Sequence, residues 1–286
     1  MSKVSIVIPT YDRAEMLPAA IESALGQTYP DMEVVVVNDG SPDDTDRAVD
    51  PYLDEPNFLY VKQENRGLAA ARNRGISESH GQYLNFLDDD DRLHPEMVAR
   101  TACLLDRDES LAFVYCDTIR VAPDGTESTH YSVGEVRGTL NGDIFPTLLK
   151  HGYFPVHGVL VRRSAVEEVA GFDESLEACE DYDLWLRIAA GGGLACYLPE
   201  RLVYYRRRPG TMSADRGRMR ESRQAIFAKL FRRYPDRCAE ALAEVQADYE
   251  RAWSAVREAD ERARCVRRDP VVRAYLALKR RLGGGG

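Results

Sequence analysis

Short apolar runs alternate with helix-like segments over the first 90 residues, and polar clusters close the runs. Val4-Ser5-Ile6-Val7-Ile8 is an apolar run stopped by Pro9, and residues 14–25 predict a helix with Gly26 just past its end. Four consecutive valines, Val34-Val35-Val36-Val37, are apolar toward both faces and predict a strand covered on both sides. Asp43-Asp44-Thr45 opens a helix, residues 57–62 predict a third strand, 67–79 a helix and 82–87 a fourth strand. This alternation predicts an α/β fold with a mostly parallel sheet and helices on both faces, and ligands of such sheets bind beyond the carboxyl ends of the strands. The polar clusters stand at those ends: Pro9-Thr10-Tyr11-Asp12, Asn38-Asp39-Gly40 and Asp88-Asp89-Asp90-Asp91.

Farther on, residues 96–106 predict a helix, 111–121 a strand and 123–126 a turn, while 126–155 lack a period and read as irregular. A strand is expected over 156–162, then a helix capped by Ser164 that ends near Gly171. Residues 180–190 predict a helix ended by three glycines, and 194–198 and 202–206 two short strands. Residues 216–234 and 236–268 predict helices split by Pro235. In the second, Leu242, Val245, Tyr249, Ala252, Val256, Ala259, Ala263 and Val266 form a narrow stripe suited to helix–helix packing.

Charge sharpens this division. The chain has 286 residues and a formal net charge of −9, with 16 basic and 36 acidic residues up to position 200 and 22 basic and 11 acidic residues after it. An acidic body argues against nucleic-acid binding. The 44% hydrophobic content is that of a globular protein. No apolar run is long enough to span a bilayer, and the N-terminus lacks a signal-peptide pattern, so a cytoplasmic location is expected. The six cysteines form no CxxC pair, which argues against zinc. The expected organisation is a body over 1–213, with halves over 1–100 and 101–213, a basic helical region over 214–282 and a flexible tail over 283–286.

The polar clusters suggest chemistry. Four adjacent aspartates repel one another unless a divalent cation neutralises them, although a solvated turn before a helix also carries such acids. Asp39 precedes Gly40, which lets backbone approach a ligand, and an ordinary Asx turn reads the same way. Tyr11 could stack on a base or simply pack. Arg66, Arg72 and Arg74 lie on or near one helix and suit a diphosphate or a solvated face. Glu180-Asp181 starts a helix, where acids complement the dipole and where a carboxylate can serve as general base.

The order of these segments resembles glycosyltransferase family 2. The matching residues are Val4-Ser5-Ile6-Val7-Ile8-Pro9-Thr10-Tyr11-Asp12-Arg13, Val36-Val37-Asn38-Asp39-Gly40-Ser41, Asn65-Arg66-Gly67-Leu68-Ala69-Ala70-Ala71-Arg72-Asn73, Phe86-Leu87-Asp88-Asp89-Asp90-Asp91, Gly171-Phe172-Asp173-Glu174 and Glu180-Asp181-Tyr182-Asp183-Leu184-Trp185. The resemblance, over about residues 3–213, implies a GT-A fold and an inverting transfer from a nucleotide sugar, with 1–213 as the catalytic domain, 1–100 its nucleotide-sugar-binding half and 101–213 its acceptor half. It implies that Pro9, Tyr11, Asp39, Arg72, Asp88, Asp89 and Asp90 bind the donor. It implies manganese or magnesium on Asp88 and Asp90, with Asp91 as an alternative ligand, and Asp181 as catalytic base. Glu180, Trp185, His157 and Arg208 are candidate contacts to acceptor or diphosphate. Arg208 stands where many relatives carry a histidine, which places a histidine metal ligand in question.

A UDP-sugar donor and a glycan, lipid-linked or small-molecule acceptor are the partners implied. The absence of a Gln-x-x-Arg-Trp segment after Asp181 and of membrane spans points to single addition rather than processive synthesis. A silent sugar-nucleotide-binding protein and a metal-dependent phosphatase are the competing readings. For the phosphatase, Asp91 and Arg92 stand where a small hydroxylated or apolar residue is wanted. The basic C-terminal helices are expected to dock on the acidic body, pair two chains or touch anionic lipid at the inner face of a membrane, unless they only cap the domain.

Overall fold

A computed structural model describes residues 4–122, 126–131, 140–150, 154–206 and 215–268. In chain order the elements are β1 (Val4–Thr10), α1 (Leu17–Leu25), β2 (Met32–Asn38), α2 (Thr45–Val49), β3 (Phe58–Lys62), α3 (Leu68–Glu78), β4 (Tyr83–Phe86), β5 (Arg92–Leu93), α4 (Met97–Arg107), β6 (Leu111–Val121), β7 (Glu127–Tyr131), α5 (Phe145–Lys150), β8 (Val159–Arg162), α6 (Arg163–Glu168), α7 (Glu180–Ala190), β9 (Leu194–Arg206), α8 (Arg216–Arg233) and α9 (Pro235–Arg268). The strands form one sheet in the order β3-β2-β1-β4-β8-β6-β9-β5, with β7 beside β6. Strands β3, β2, β1 and β4 are mutually parallel, whereas β8 runs antiparallel to β4 and β6. The sheet is therefore parallel in its first half and mixed in its second.

Alternation within each strand builds two cores. Ile6 and Ile8 of β1 and Val34 and Val36 of β2 pack with Leu17 and Ile21 of α1. Val35 and Val37 face the other side and meet Ala71 of α3. Every residue of β1 is buried, and each such aliphatic side chain contributes roughly 1.5–3 kcal/mol. Helix α3 lies close to the sheet because its buried face is alanine and glycine. A Cβ placed on Gly75 would sit 2.2 Å from Val7 Cγ1.

Some elements differ from the sequence reading for identifiable reasons. Helix α1 starts at Leu17, later than residue 14, because Asp12 takes a left-handed conformation (φ 56°) and the Ala14 N–H donates to Asp43 Oδ2. The two strands expected over 194–206 are one strand, β9. Its pairing with β6 slips between Cys116↔Leu198 and Asp117↔Arg201, so Pro199 and Glu200 are absorbed in a bulge. The interval 126–155 contains β7 and α5, both too short to show a period. Helix α6 begins at Arg163, and Ser164 does not cap it.

The chain divides into a compact unit over Met1–Cys238 and a second over Ala239–Gly286. The first unit extends past the boundary expected at 213/214 and includes α8. Ile226 and Leu230 of α8 are buried, and basic residues of this segment reach acids of the body: Lys229 pairs with Asp173 at 2.6 Å and Arg237 with Asp143. Within the second unit, side chains of the expected stripe from Tyr249 onward lie outside the described residues. Among the described residues no helix is long and apolar enough to cross a membrane.

Candidate active site

The carboxyl ends of β1, β2 and β4 open onto one cavity of about 650 Å³, lined among others by Pro9, Tyr11, Asp39, Arg72, Asp88 and Asp181. The first wall is a braced loop. Asp39 Oδ1 accepts from Gln63 Nε2 (2.7 Å) and the Arg66 N–H (2.9 Å), and Oδ2 accepts from the Gly67 N–H (2.8 Å). Gly40 makes this possible: its φ is +74°, and a Cβ there would lie 2.8 Å from the Asn65 nitrogen. Tyr11 stands at the lip, 47% exposed.

Arg72 ties the second wall to the third. It is 1% exposed, and its guanidinium reaches Asp88 at 2.6 Å and Glu180 at 2.5 Å. Burial opposes its charge, but Asp88, Glu180 and Asp181 outweigh that and raise its pKa. Two carboxylates from distant segments are thereby held on either side of one fork.

The four aspartates after β4 have separate surroundings. Asp89 and Asp90 share Arg13, at 2.8 and 3.3 Å. Burial still pushes Asp89 up to about 6. Asp91 points inward, where Oδ1 accepts from the Arg206 N–H at 2.6 Å. Burial, Asp88 and Asp90 raise its pKa well above the usual range. Its Oδ2 lies 3.2 Å from His157 Nδ1, yet among the described residues neither atom has a hydrogen-bond partner, nor has His157 Nε2. His157 is fully buried, stacked on Tyr205, and burial lowers it to about 4, so its ring is neutral.

Ligand atoms of Asp88, Asp91 and His157 lie within 4.8 Å of one another. Two carboxylates and a neutral imidazole suit a divalent transition ion such as manganese better than magnesium, which prefers oxygen ligands throughout. Ligands about 2.1 Å from an octahedral ion and adjacent to each other stand about 3 Å apart. The Asp91–His157 separation matches, and an ion there would satisfy Asp91 Oδ2 and His157 Nδ1. The residues present therefore fit a divalent cation.

The third wall is the start of α7. Cys179 before it adopts φ 60°, an uncommon conformation for a residue with a side chain. Asp181 accepts from the Tyr182 N–H at 2.7 Å. Burial and the neighbouring Glu180 push its pKa up to about 7, against the pull of Arg72. A carboxylate at that value accepts a proton near neutrality.

Most sequence-derived candidates thus surround one cavity. Two assignments change, and the surroundings of a third are now defined. His157 does not face an acceptor; it lies beneath the aspartates. Glu180 is committed to Arg72. Trp185 is 1% exposed and packs on Phe113 at 5.6 Å and Phe154 at 6.2 Å, although one edge lines a second, smaller cavity. Arg208 lies outside the described residues. Arg66 pairs with Glu174 at 2.9 Å, and Arg74 pairs with Glu78 on its own helix. Sequence reasoning missed Arg13, which braces the aspartates from the end of β1, and Arg120, Arg206, Met219 and Arg223 among the cavity-lining residues. Only the Arg13 position within the first matching segment offered a signal.

The half-parallel sheet, with acids at its carboxyl edge and a carboxylate-led helix opposite, defines the GT-A class of glycosyltransferase folds. Two solved structures share it. The mannosyltransferase PcManGT from Pyrobaculum calidifontis, in complex with GDP-Man and Mn2+, superposes with a TM-score of 0.63 at 21% identity, over 98% of this chain and 80% of that one. S. aureus TarS 1-349 in complex with UDP-GlcNAc gives 0.61 at 22% identity, over 74% and 61%. The profile of "Glycosyl transferase family 2" matches residues 5–170, more than half the chain, and the protein belongs to that family. An uncharacterized glycosyltransferase of Rickettsia typhi is 34% identical over 190 residues, 64% of this chain and 58% of its own length. Chondroitin synthase of Pasteurella multocida is 33% identical over 193 residues, 66% of this chain and 19% of its own. The chain thus spans little more than half of the first relative and a fifth of the second.

Proposed function

We propose that this glycosyltransferase moves a sugar from a nucleotide sugar to an acceptor hydroxyl with inversion, and that Asp181 is the base. The observation that carries the reading is the single cavity in which Asp181, poised near neutrality, stands across from the Asp88 edge. Tyr11, Pro9 and the loop held by Asp39 receive the nucleoside. Arg72 holds Asp88 and orients Glu180, which in turn raises Asp181. Asp181 takes the acceptor proton while the hydroxyl oxygen bonds to the anomeric carbon from the side opposite the departing diphosphate. A divalent cation on Asp88, Asp91 and His157, with Asp90 beside them, would supply positive charge for the leaving diphosphate.

A UDP-sugar is the proposed donor, and the UDP-GlcNAc complex of TarS supports it. The GDP-Man complex of PcManGT makes a GDP-sugar the second choice. Single addition is proposed from the lack of the processive segment, although chondroitin synthase is a relative. Release of nucleoside diphosphate from a panel of nucleotide sugars, with and without manganese, tests the reading. Release with one donor class and acceptor, about 10²–10⁴-fold slower in Asp181→Asn, is expected. No binding of any nucleotide sugar would refute it.

A further inference from the structure

Next to the donor cavity lies a smaller one of about 150 Å³, lined by Leu148, Phe154, Cys179, Asp181, Tyr182 and Trp185, and by Met219 and Arg223 of α8. Phe154, Cys179, Asp181 and Met219 line both cavities, so the two meet at the carboxylate. Tyr11 and Asp39 line only the larger cavity, so an occupant of the smaller one meets Asp181 without meeting them.

Its hydrogen-bonding inventory is one-sided. The Trp185 indole Nε1 is buried and has no hydrogen-bond partner among the described residues. An indole nitrogen only donates. Arg223 lies with its guanidinium 5.2 Å from the centre of the Tyr182 ring and donates one hydrogen bond to the Tyr182 hydroxyl oxygen, and no carboxylate among the described residues is in ion-pair contact with it. The Tyr182 hydroxyl already donates to the Leu148 carbonyl, at 2.7 Å. The remaining walls are apolar. Apart from Asp181, the proposed base, the described lining offers donors and a positive charge. A neutral sugar presents hydroxyls that donate as well as accept, whereas a carboxylate or phosphate only accepts and matches this inventory.

We propose that this cavity is the acceptor subsite and that it selects an acceptor bearing an acidic group, held by Arg223 and the Trp185 indole N–H while a hydroxyl meets Asp181. The inference rests on the glycosyltransferase reading and assigns α8 to acceptor recognition. The carboxylate could be that of a uronic acid, and the phosphate that of a phosphorylated glycan or lipid head.

The test is a titration of the full chain, loaded with UDP and manganese, followed by the indole 1H–15N signals. The protein has two tryptophans, Trp185 and Trp253, so Trp253→Phe leaves the Trp185 signal alone. D-glucuronate, glycerol 3-phosphate and D-glucose are the probes. One or both anions should move the Trp185 signal, and which one does so identifies the carboxylate or phosphate source. Glucose at equal concentration should leave the signal in place. Arg223→Gln should weaken the anion about ten-fold or more, and Arg223→Lys should recover part of that loss. The inference is overturned if glucose moves the signal as strongly as the anions, if neither anion moves it while UDP binds, or if Arg223→Gln leaves anion affinity unchanged. Failure of every nucleotide to bind, measured separately by calorimetry, would instead remove the transferase reading and this inference with it.

Discussion

Replacing Asp181 by Asn tests the base and its surroundings together. The substitution keeps shape and removes the charge. General-base catalysis contributes about 10²–10⁴-fold, so the turnover should fall by that factor. Stability should move the other way at high pH. An aspartate ordinarily titrates near 3.8, and burial with Glu180 raises Asp181 to about 7 in the folded chain. Between those values the folded state holds the proton more tightly than the unfolded chain, so stability falls as pH rises through the window and is lowest above 7.

Each pKa unit corresponds to about 1.4 kcal/mol, which puts a ceiling near 4 kcal/mol on the cost. Asp181 is only partly shielded, because it borders the cavity, so about 1–2 kcal/mol is the discounted figure. Asn carries no such cost. Melting curves at pH 5 and pH 8 should show Asp181→Asn gaining about 2–8 °C on the parent at pH 8 and roughly a third of that at pH 5. A variant that keeps full transferase activity, or that melts below the parent at pH 8, would refute the assignment of Asp181 as a buried base.

Three further outcomes follow from the geometry. His157→Asn should weaken manganese at least about ten-fold and abolish a nitrogen hyperfine coupling in the pulsed electron paramagnetic resonance of the bound ion; a coupling unchanged in the variant would exclude His157 as a ligand. Gly75→Ala should destabilise the fold by about 1–3 kcal/mol in urea unfolding, because its Cβ meets Val7, and Val7→Ala in the same chain should recover part of that loss. Arg72→Ala leaves Asp88 and Glu180 facing each other without their cation. It should cost about 3–5 kcal/mol at pH 8 by denaturant unfolding, with a smaller loss at pH 4 as the carboxylates take protons.

The parallel half of the fold was legible because its signals are local. Val34 to Val37 announce a doubly covered strand, and the acids after β1, β2 and β4 mark the carboxyl edge. The second half was less legible because its partners are distant. β9 reads as two strands until β6 is known to pair across its bulge, and α5 becomes visible as a helix only where Phe145 and Leu148 are buried. In the site, Asp39, Asp88 and Asp181 stood out by type and position. The Arg72 bridge to Glu180 spans 108 residues, and nothing local announces it. His157 reads as an ordinary residue before a strand, and its place beneath Asp91 depends on β8 lying beside β4. The charge division was visible from composition, but the packing of α8 on the body and its contribution of Arg223 to a cavity were not.

If the Asp181 cavity transfers a sugar from a nucleotide donor with inversion, the configuration of the new glycosidic bond records it. The most direct measurement is proton NMR of the product formed from a UDP- or GDP-α-sugar, manganese and an acidic acceptor, read at the new anomeric signal. A β-linked product with equimolar nucleoside diphosphate is expected from the parent, forming about 10²–10⁴-fold more slowly in Asp181→Asn. An α-linked product, or the same β-linked product at the same rate from Asp181→Asn, would contradict that expectation.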